Sequence, residues 1–357
     1  MISYDGWDRE YEEHKDAYCT LFDQFMSQSN YENIENFEKR FSEMIGRKYV
    51  IGVATATDAL YFSLLANKIG PGDEVLVSNF SWISSSACIS MAGATPVFCD
   101  IDIHSYHIDL DSIKKMYSKK TKAIIYTHLF GNMTDTSNIL NFCKEKNIVF
   151  IEDAAQSIGS SLNGILAGTI GDCSSFSFNT NKVIAGINGG GVFMTDNENQ
   201  ANYVRKLRKH GKDKDFEILG YNSRLYVLNT EIINLRLQHL KKNQITRNTI
   251  ANQYNKEFKN LPVYTQIPSQ TLNHNFHKYT IRFKDKETRT KIKKKLMASV
   301  HYEIPLSENN MYKNINHRTD DCKNAKLVSD TILSLPIHAW LTNNEITNII
   351  KIIKSSI

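Results

Sequence analysis

The sequence predicts an α/β fold, with a large, mostly parallel sheet domain followed by a smaller C-terminal α+β domain. Two observations predict it. Between about residues 50 and 195, short apolar runs alternate with stretches of helical length and period. Beyond about residue 196 the alternation stops, helical stretches dominate and basic residues accumulate. The division is placed at 1–240 for the large domain and 241–357 for the small one. A chain of 357 residues is long enough for two or three domains of ordinary size.

The elements follow in order. Glu74-Val-Leu-Val77 reads as a buried strand, as do 96–99, 123–126, 148–151, 174–178 and 192–194. Residues 58–69, 83–92 and 136–146 lie between them with helical period. Strands that alternate with helices imply a parallel sheet covered on both faces. Gly70-Pro71-Gly72-Asp73 is a turn between helix and strand. Residues 198–210 and 225–241 read as helices, and the isoleucines of 344–357 repeat at helical spacing.

Composition excludes several classes. Hydrophobic content of 41% and charged content of 23% are those of a globular protein. The net charge is +5, and the basic run 284–295 reads as a solvated helix face. Aromatic residues do not interleave with that run, so no nucleic-acid partner is expected. Six cysteines show no CxxC spacing and no histidine pair completes a zinc pattern. No metal is expected, and free thiols suit a reducing cytoplasm. The opening residues lack a basic and an apolar region, so no signal peptide is expected. No run of about 18 apolar residues occurs, so neither is a membrane span.

In open parallel sheets, ligands bind beyond the carboxyl ends of the strands. The polar residues there are Asn79, Ser81 and Trp82, then His128, then Asp153 and Gln156, then Asn179 and Lys182. Asp153 is either a turn former or a carboxylate aimed at a buried cationic ring nitrogen. Lys182 is either a solvated side chain or a desolvated amine. It follows a very apolar strand and precedes Asn188-Gly-Gly-Gly191, which favours the second. Desolvation lowers a lysine's pKa and makes it nucleophilic, as Schiff-base chemistry requires. Thr55-Ala56-Thr57-Asp58 opens a helix, either as an ordinary cap or as a phosphate contact. GxGxxG, Walker, HExxH and GxSxG patterns are absent. Hydride transfer, ATP hydrolysis, zinc hydrolysis and serine hydrolase chemistry thus lose their usual signals.

Together these segments resemble the DegT/DnrJ/EryC1/StrS sugar aminotransferases, of the aspartate-aminotransferase-like fold type I. The resemblance runs from about residue 35 to residue 345. Its parts include Ala56-Thr-Asp-Ala-Leu60, Gly93-Ala-Thr-Pro-Val-Phe98, His128-Leu-Phe-Gly131, Ile151-Glu-Asp-Ala-Ala-Gln156, Phe176-Ser-Phe178 with Lys182, Gly220-Tyr-Asn-Ser-Arg224 and Ser334-Leu-Pro-Ile-His338. It implies pyridoxal 5'-phosphate as cofactor, with Lys182 as its Schiff-base lysine and Asp153 on its ring nitrogen. Gln156 matches an amide near the ring hydroxyl, and Trp82 an aromatic stacked on the ring. Thr57 and Ser177 match phosphate contacts, helped by the backbone at Ala56. Asn222 matches an amide donated across a homodimer interface to the neighbour's cofactor. His301 and Tyr302 match a substrate-side motif, and His128 is a further substrate candidate.

The resemblance further implies an L-glutamate donor and a keto-sugar linked to a nucleotide diphosphate as acceptor. The product would be an amino sugar for a surface polysaccharide or glycan. Some departures fall near the substrate side. Ser307 stands where a histidine is usual, and Asn229-Thr-Glu231 differs from the usual Gln-Ala-Ala. A smaller phosphorylated ketone is therefore an alternative acceptor, and a non-catalytic sensor an alternative role. Family dehydratases carry a histidine in place of the lysine, and Lys182 argues against that branch.

Overall fold

The computed structural model describes residues 5–27, 33–266, 272–296 and 298–357. Its strands are β1 (Tyr49–Val53), β2 (Glu74–Ser78), β3 (Thr95–Cys99), β4 (Thr121–Thr127) and β5 (Val149–Asp153). A short pair follows, β6 (Ser161–Leu162) and β7 (Ile165–Leu166), and then β8 (Cys173–Ser177) and β9 (Gly191–Thr195). Later come β10 (Tyr264–Thr265), β11 (Leu272–Asn273), β12 (Tyr279–Arg282), β13 (Arg318–Thr319) and β14 (Ile332–Leu335).

Eight of these form one sheet in the order β1-β9-β8-β5-β4-β2-β3-β13. Every pair from β8 to β13 is parallel. Only β9 runs against its neighbours, β1 and β8. The mostly parallel sheet domain and the fold type I class are what the sequence predicts.

Period two explains why the sheet is covered on both faces. Val75, Val77, Ala123, Ile125 and Ile151 join one apolar cluster. Their chain neighbours Leu76, Ile124, Tyr126 and Phe150 join another. A strand buried on both sides reads as a continuous apolar run, which is how the sequence betrays it.

Several elements differ from the sequence reading. β1, with Tyr49-Val-Ile-Gly-Val53, was not singled out, and neither were the helices Trp7–Ser27, Asn33–Ile45 and Leu110–Met116. The stretch expected as one helix over 225–241 is two helices, Val227–Gln238 and Leu240–Phe258, broken at His239. The last helix, Asn343–Lys354, opens with a capping box between Thr342 and Glu345.

Past residue 240 a three-stranded sheet, β10-β12-β14, has its own apolar cluster from Ile250 to Ile353. The chain also returns to the large sheet, because β13 pairs with β3. In the helix Lys286–Leu296, Arg289, Ile292 and Leu296 are buried, while Lys286, Lys291, Lys294 and Lys295 face solvent. The two parts also meet at Gly131, whose φ is +88°. A Cβ there would lie 1.8 Å from Asn275 Oδ1. Only glycine combines that backbone conformation with so close an approach.

Candidate active site

The order of strands reverses between β2 and β4, since the chain adds β3 on one side and β5 and β8 on the other. A crevice opens at such a point, beyond the carboxyl ends of the strands. Here it is a cavity of about 240 Å³. Trp82 and Ser85 reach it from beyond β2, Asp153 and Gln156 from the end of β5, and Ser177 and Lys182 from the end of β8.

Asp153 is buried and held from three sides. Its Oδ2 accepts from Ser85 Oγ at 2.9 Å and from Thr127 Oγ1 at 3.2 Å. Its Oδ1 accepts from the Ala155 N–H at 3.2 Å. These three donors fix the orientation of the carboxylate on the cavity wall. A buried anion on a cavity wall calls for a cationic partner in that cavity.

Lys182 sits in a loop folded back on itself. Its N–H donates to Asn179 O at 2.9 Å, and the Gly186 N–H donates to Phe178 O at 2.8 Å. Asn229 clamps the loop, accepting from the Ile187 N–H at 2.8 Å and donating to Gly189 O at 3.0 Å. Burial pushes the Lys182 ammonium down to about 8, against the pull of Asp153. About a fifth of its amine is therefore neutral near pH 7.4, far more than for an ordinary lysine.

Ala56 and Thr57 line the cavity at the start of the helix Ala56–Ala66, whose cap Thr55 accepts from the Asp58 N–H at 3.0 Å. The glycine loop presses on this helix start: a Cβ on Gly191 would meet Ala56 N at 2.5 Å. First-turn amides and nearby hydroxyls make an anion seat. Thr57 Oγ1 donates to Ser84 Oγ at 2.8 Å, and Ser177 completes that end.

The opposite wall is aromatic and basic. Gln156 Nε2 donates to Tyr302 Oη at 3.0 Å, and Gln156 Oε1 accepts from the Phe130 N–H at 2.9 Å. Tyr302 stacks on Phe130 and lies 6.2 Å, ring to ring, from Trp82. Trp82 is 57% exposed, so one face of the indole borders the cavity mouth. His301 lines the wall and contacts Ser334 Oγ through Nδ1 at 2.9 Å. Burial, then Lys278 and Lys182, push His301 down to about 3, so the ring is neutral.

The structure thus brings together Ala56, Thr57, Trp82, Asp153, Gln156, Ser177, Lys182, His301 and Tyr302. It does not bring His128 there. His128 is fully buried, with Nε2 at 2.8 Å from Glu152 Oε1. The reason is strand alternation: Asp153 faces the cavity, so Glu152 faces away, and His128 follows Glu152. Asn222 is exposed and does not line the cavity of its own chain. Ser307 does not line it either; its N–H donates to Asn79 Oδ1 at 2.7 Å and its Oγ accepts from Asn79 Nδ2 at 3.0 Å.

Sequence reasoning missed Ser85, Thr127, His277 and Lys278, and noted Asn229 only as a departure. Ser85, Thr127 and Asn229 act across gaps of 68, 26 and 42 residues, which no local pattern reveals. His277 and Lys278 directly precede the buried strand β12.

Glu152 has a separate role. Burial pushes its carboxyl up, but His128 and the amides of Gly168 and Gly171 bring it net below the usual range. The sign is that of a depressed acid: its stabilisation is present at neutral pH and lost as pH falls through its folded-state value. Glu152→Ala strands His128 and three backbone N–H groups and is expected to cost about 3–5 kcal/mol in denaturant unfolding. A loss under about 1 kcal/mol would show that the network is not structural.

Among the described residues, no group of three or more His, Cys, Asp or Glu is placed to hold a metal ion. No helix among them is long and apolar enough to cross a membrane.

The cavity offers an amine, a facing acid, an anion seat and an aromatic plane. These suit the aldehyde, ring nitrogen, phosphate and ring of pyridoxal phosphate, and with the fold they define a pyridoxal-phosphate-dependent aminotransferase. The family model of the DegT/DnrJ/EryC1/StrS aminotransferases matches residues 9–354, and the chain belongs to that family. It is 32% identical over 322 residues to a dTDP-3-amino-3,6-dideoxy-alpha-D-galactopyranose transaminase of Aneurinibacillus thermoaerophilus, covering 89% of this chain and 88% of that one. It is 32% identical over 327 residues to the GDP-perosamine synthase of Caulobacter vibrioides, covering 89% and 88%. A DegT DnrJ EryC1 StrS aminotransferase from Brucella abortus shares the fold with a TM-score of 0.93, at 26% identity and 99% coverage of both chains.

Proposed function

We propose that this enzyme moves an amino group from L-glutamate to the keto group of a nucleotide-linked sugar, making an amino sugar for a surface polysaccharide or glycan. The observation that carries the reading is Lys182 and Asp153 facing one cavity, in a chain whose relatives are named for dTDP- and GDP-linked amino sugars.

When bound, pyridoxal phosphate supplies an aldehyde that condenses with an amine and a ring that accepts electrons. The chain's own residues do the rest. Ala56, Thr57 and Ser177 would hold the phosphate, and Trp82 would cover the ring and exclude water. Asp153 would keep a proton on the ring nitrogen. Gln156, fixed by Tyr302 and Phe130, would address the ring hydroxyl. Lys182 Nζ, neutral above about 8, takes the Cα proton of the donor and returns it one carbon away. His301 and Tyr302 border the space left for substrate.

The reading includes a homodimer in which Asn222 reaches the neighbour's cofactor phosphate. Its exposure, outside its own chain's cavity, supports this. The reading also takes 1–240 as the cofactor-binding domain and 241–357 as the small one, supported by the separate apolar cluster of Ile250 to Ile353. A cytoplasmic location is supported by six free cysteines. Ser307, which kept a smaller phosphorylated ketone open, lies off the cavity wall, so it no longer favours that acceptor.

The test is to add L-glutamate to the yellow holoenzyme and follow loss of the absorption band, then offer keto nucleotide sugars and weigh the products. Loss of colour and an aminated nucleotide sugar are expected. A band that glutamate never bleaches would overturn the donor. Amination of a small phosphorylated ketone alone would overturn the acceptor.

A further inference from the structure

Ala185 follows Lys182 by three residues in the loop that carries it. Ile184 and Ala185 are both buried, so the Ala185 carbonyl needs a donor from the protein. Arg236 supplies it: Nη1 donates to Ala185 O at 2.6 Å. The bond is charge-assisted, and the rigid guanidinium fork gives it a direction.

Arg236 is itself buried, and the helix Trp7–Ser27 anchors its other edge. Nε donates to Glu10 Oε1 at 2.7 Å, and Nη2 donates to Glu10 Oε2 at 3.3 Å. Tyr18 Oη accepts from the same Nε at 3.1 Å and donates to Glu10 Oε1 at 3.0 Å. The Trp7 ring centre lies 4.4 Å from the guanidinium carbon. Arg9 of the same helix pairs with Glu345 at 2.7 Å, which ties the anchor to the small domain as well. A planar fork pinned along one edge has little freedom along the other, so Glu10 fixes where Nη1 points.

Glu10 alone would need only a cation. The placing of Arg236 on the helix Val227–Gln238 ties this cation to the loop as well. Asn229 and Arg236 stand about two turns apart on one face of that helix. Asn229 holds Ile187 and Gly189, and Arg236 holds Ala185. Together they brace the chain just beyond Lys182, while the bonds to Asn179 O and Phe178 O close the loop itself.

We propose that Arg236 is a positioning residue for Lys182: anchored by Glu10, it holds the Ala185 carbonyl and so keeps the amine at its place on the cavity wall. This deepens the transamination reading and rests on it for the effect on rate. The N-terminal helix thereby serves the active site without lining it.

The experiment uses the full-length chain with the double substitution Glu10→Leu and Arg236→Leu, and with Arg236→Lys alone. The double variant removes the buried pair together and leaves no unpaired charge behind. Before cofactor is added, labelling with acetic anhydride and mass spectrometry report the pH at which the Lys182 amine becomes reactive. In the holoenzyme, loss of the absorption band with L-glutamate reports the first half-reaction. Asp153, His277, Lys278 and His301, which line the cavity with Lys182, stay in place in both variants, so a change reports the loop.

The labelling midpoint is expected to rise from about 8 towards 10.5, because a freed loop lets water reach the amine. The saturating rate is expected to fall about 10- to 100-fold, with the glutamate concentration for half-maximal rate within about threefold. Arg236→Lys keeps a charge opposite Glu10, but one ammonium is not a fork, and both readouts are expected to move in the same direction. Melting temperatures report folding independently. If the double variant does not fold, Arg236→Lys carries the same two readouts.

A folded variant whose midpoint stays at about 8, or whose saturating rate stays within about twofold, would overturn the positioning role. Arg236 would then support the N-terminal helix alone. An unsubstituted holoenzyme that glutamate never bleaches would instead overturn the glutamate donor, and the labelling midpoint would decide for or against Arg236 by itself.

Discussion

Lys182→Ala is expected to lower turnover by at least about 10⁴-fold, because one substitution removes both the attacking amine and the general base. The variant is expected to fold. Lys182 has a pKa of about 8 in the protein, below the usual 10.5. The sign follows: burial disfavours its charged form, so below about 8 this group opposes folding, and the opposition fades as pH rises towards 10.5. Removing it therefore relieves a cost at neutral pH. The loop around it is held by backbone bonds and Asn229, which the substitution leaves in place. Steady-state turnover and circular dichroism check both halves. Near-normal turnover in a folded variant would refute the role.

Asp153→Asn is expected to lower turnover about 10²–10³-fold, the usual cost of removing one preorganised electrostatic group. Shape is kept. The amide oxygen can still accept from the Ala155 N–H, and the hydroxyls of Ser85 and Thr127 can turn to accept from the new NH₂. What is lost is the negative charge that keeps a ring nitrogen protonated. The split is diagnostic: the rate falls while the melting temperature and cofactor content hold. A variant that keeps more than about a third of normal turnover would contradict the electron-sink role.

Much of this site was legible because of where strands end. The apolar run before Lys182 and the glycines after it marked a tight turn, and the structure puts Lys182 on the cavity wall. Asp153 was readable in the same way, at the last position of β5. His128 shows the limit of that logic. It also follows a strand, but its side chain points to the face shared by Glu152 and Tyr126. Position at a strand end fixes depth, not face, and one residue's shift reverses the face.

The roles of Thr57, Trp82, Gln156 and Ser177 came from resemblance rather than from pattern. Asn229 was noted only as a departure, yet its side chain ties down the loop that carries Lys182. Ser85 and Thr127 gave no signal, since a hydroxyl near a strand has many ordinary uses.

The most direct test is covalent. Holoenzyme incubated with pyridoxal phosphate is reduced with borohydride, digested and sequenced by mass spectrometry. A pyridoxyl adduct on Lys182, absent from Lys182→Ala, is the expected result. An adduct confined to another lysine such as Lys278, or no adduct at all, would contradict it.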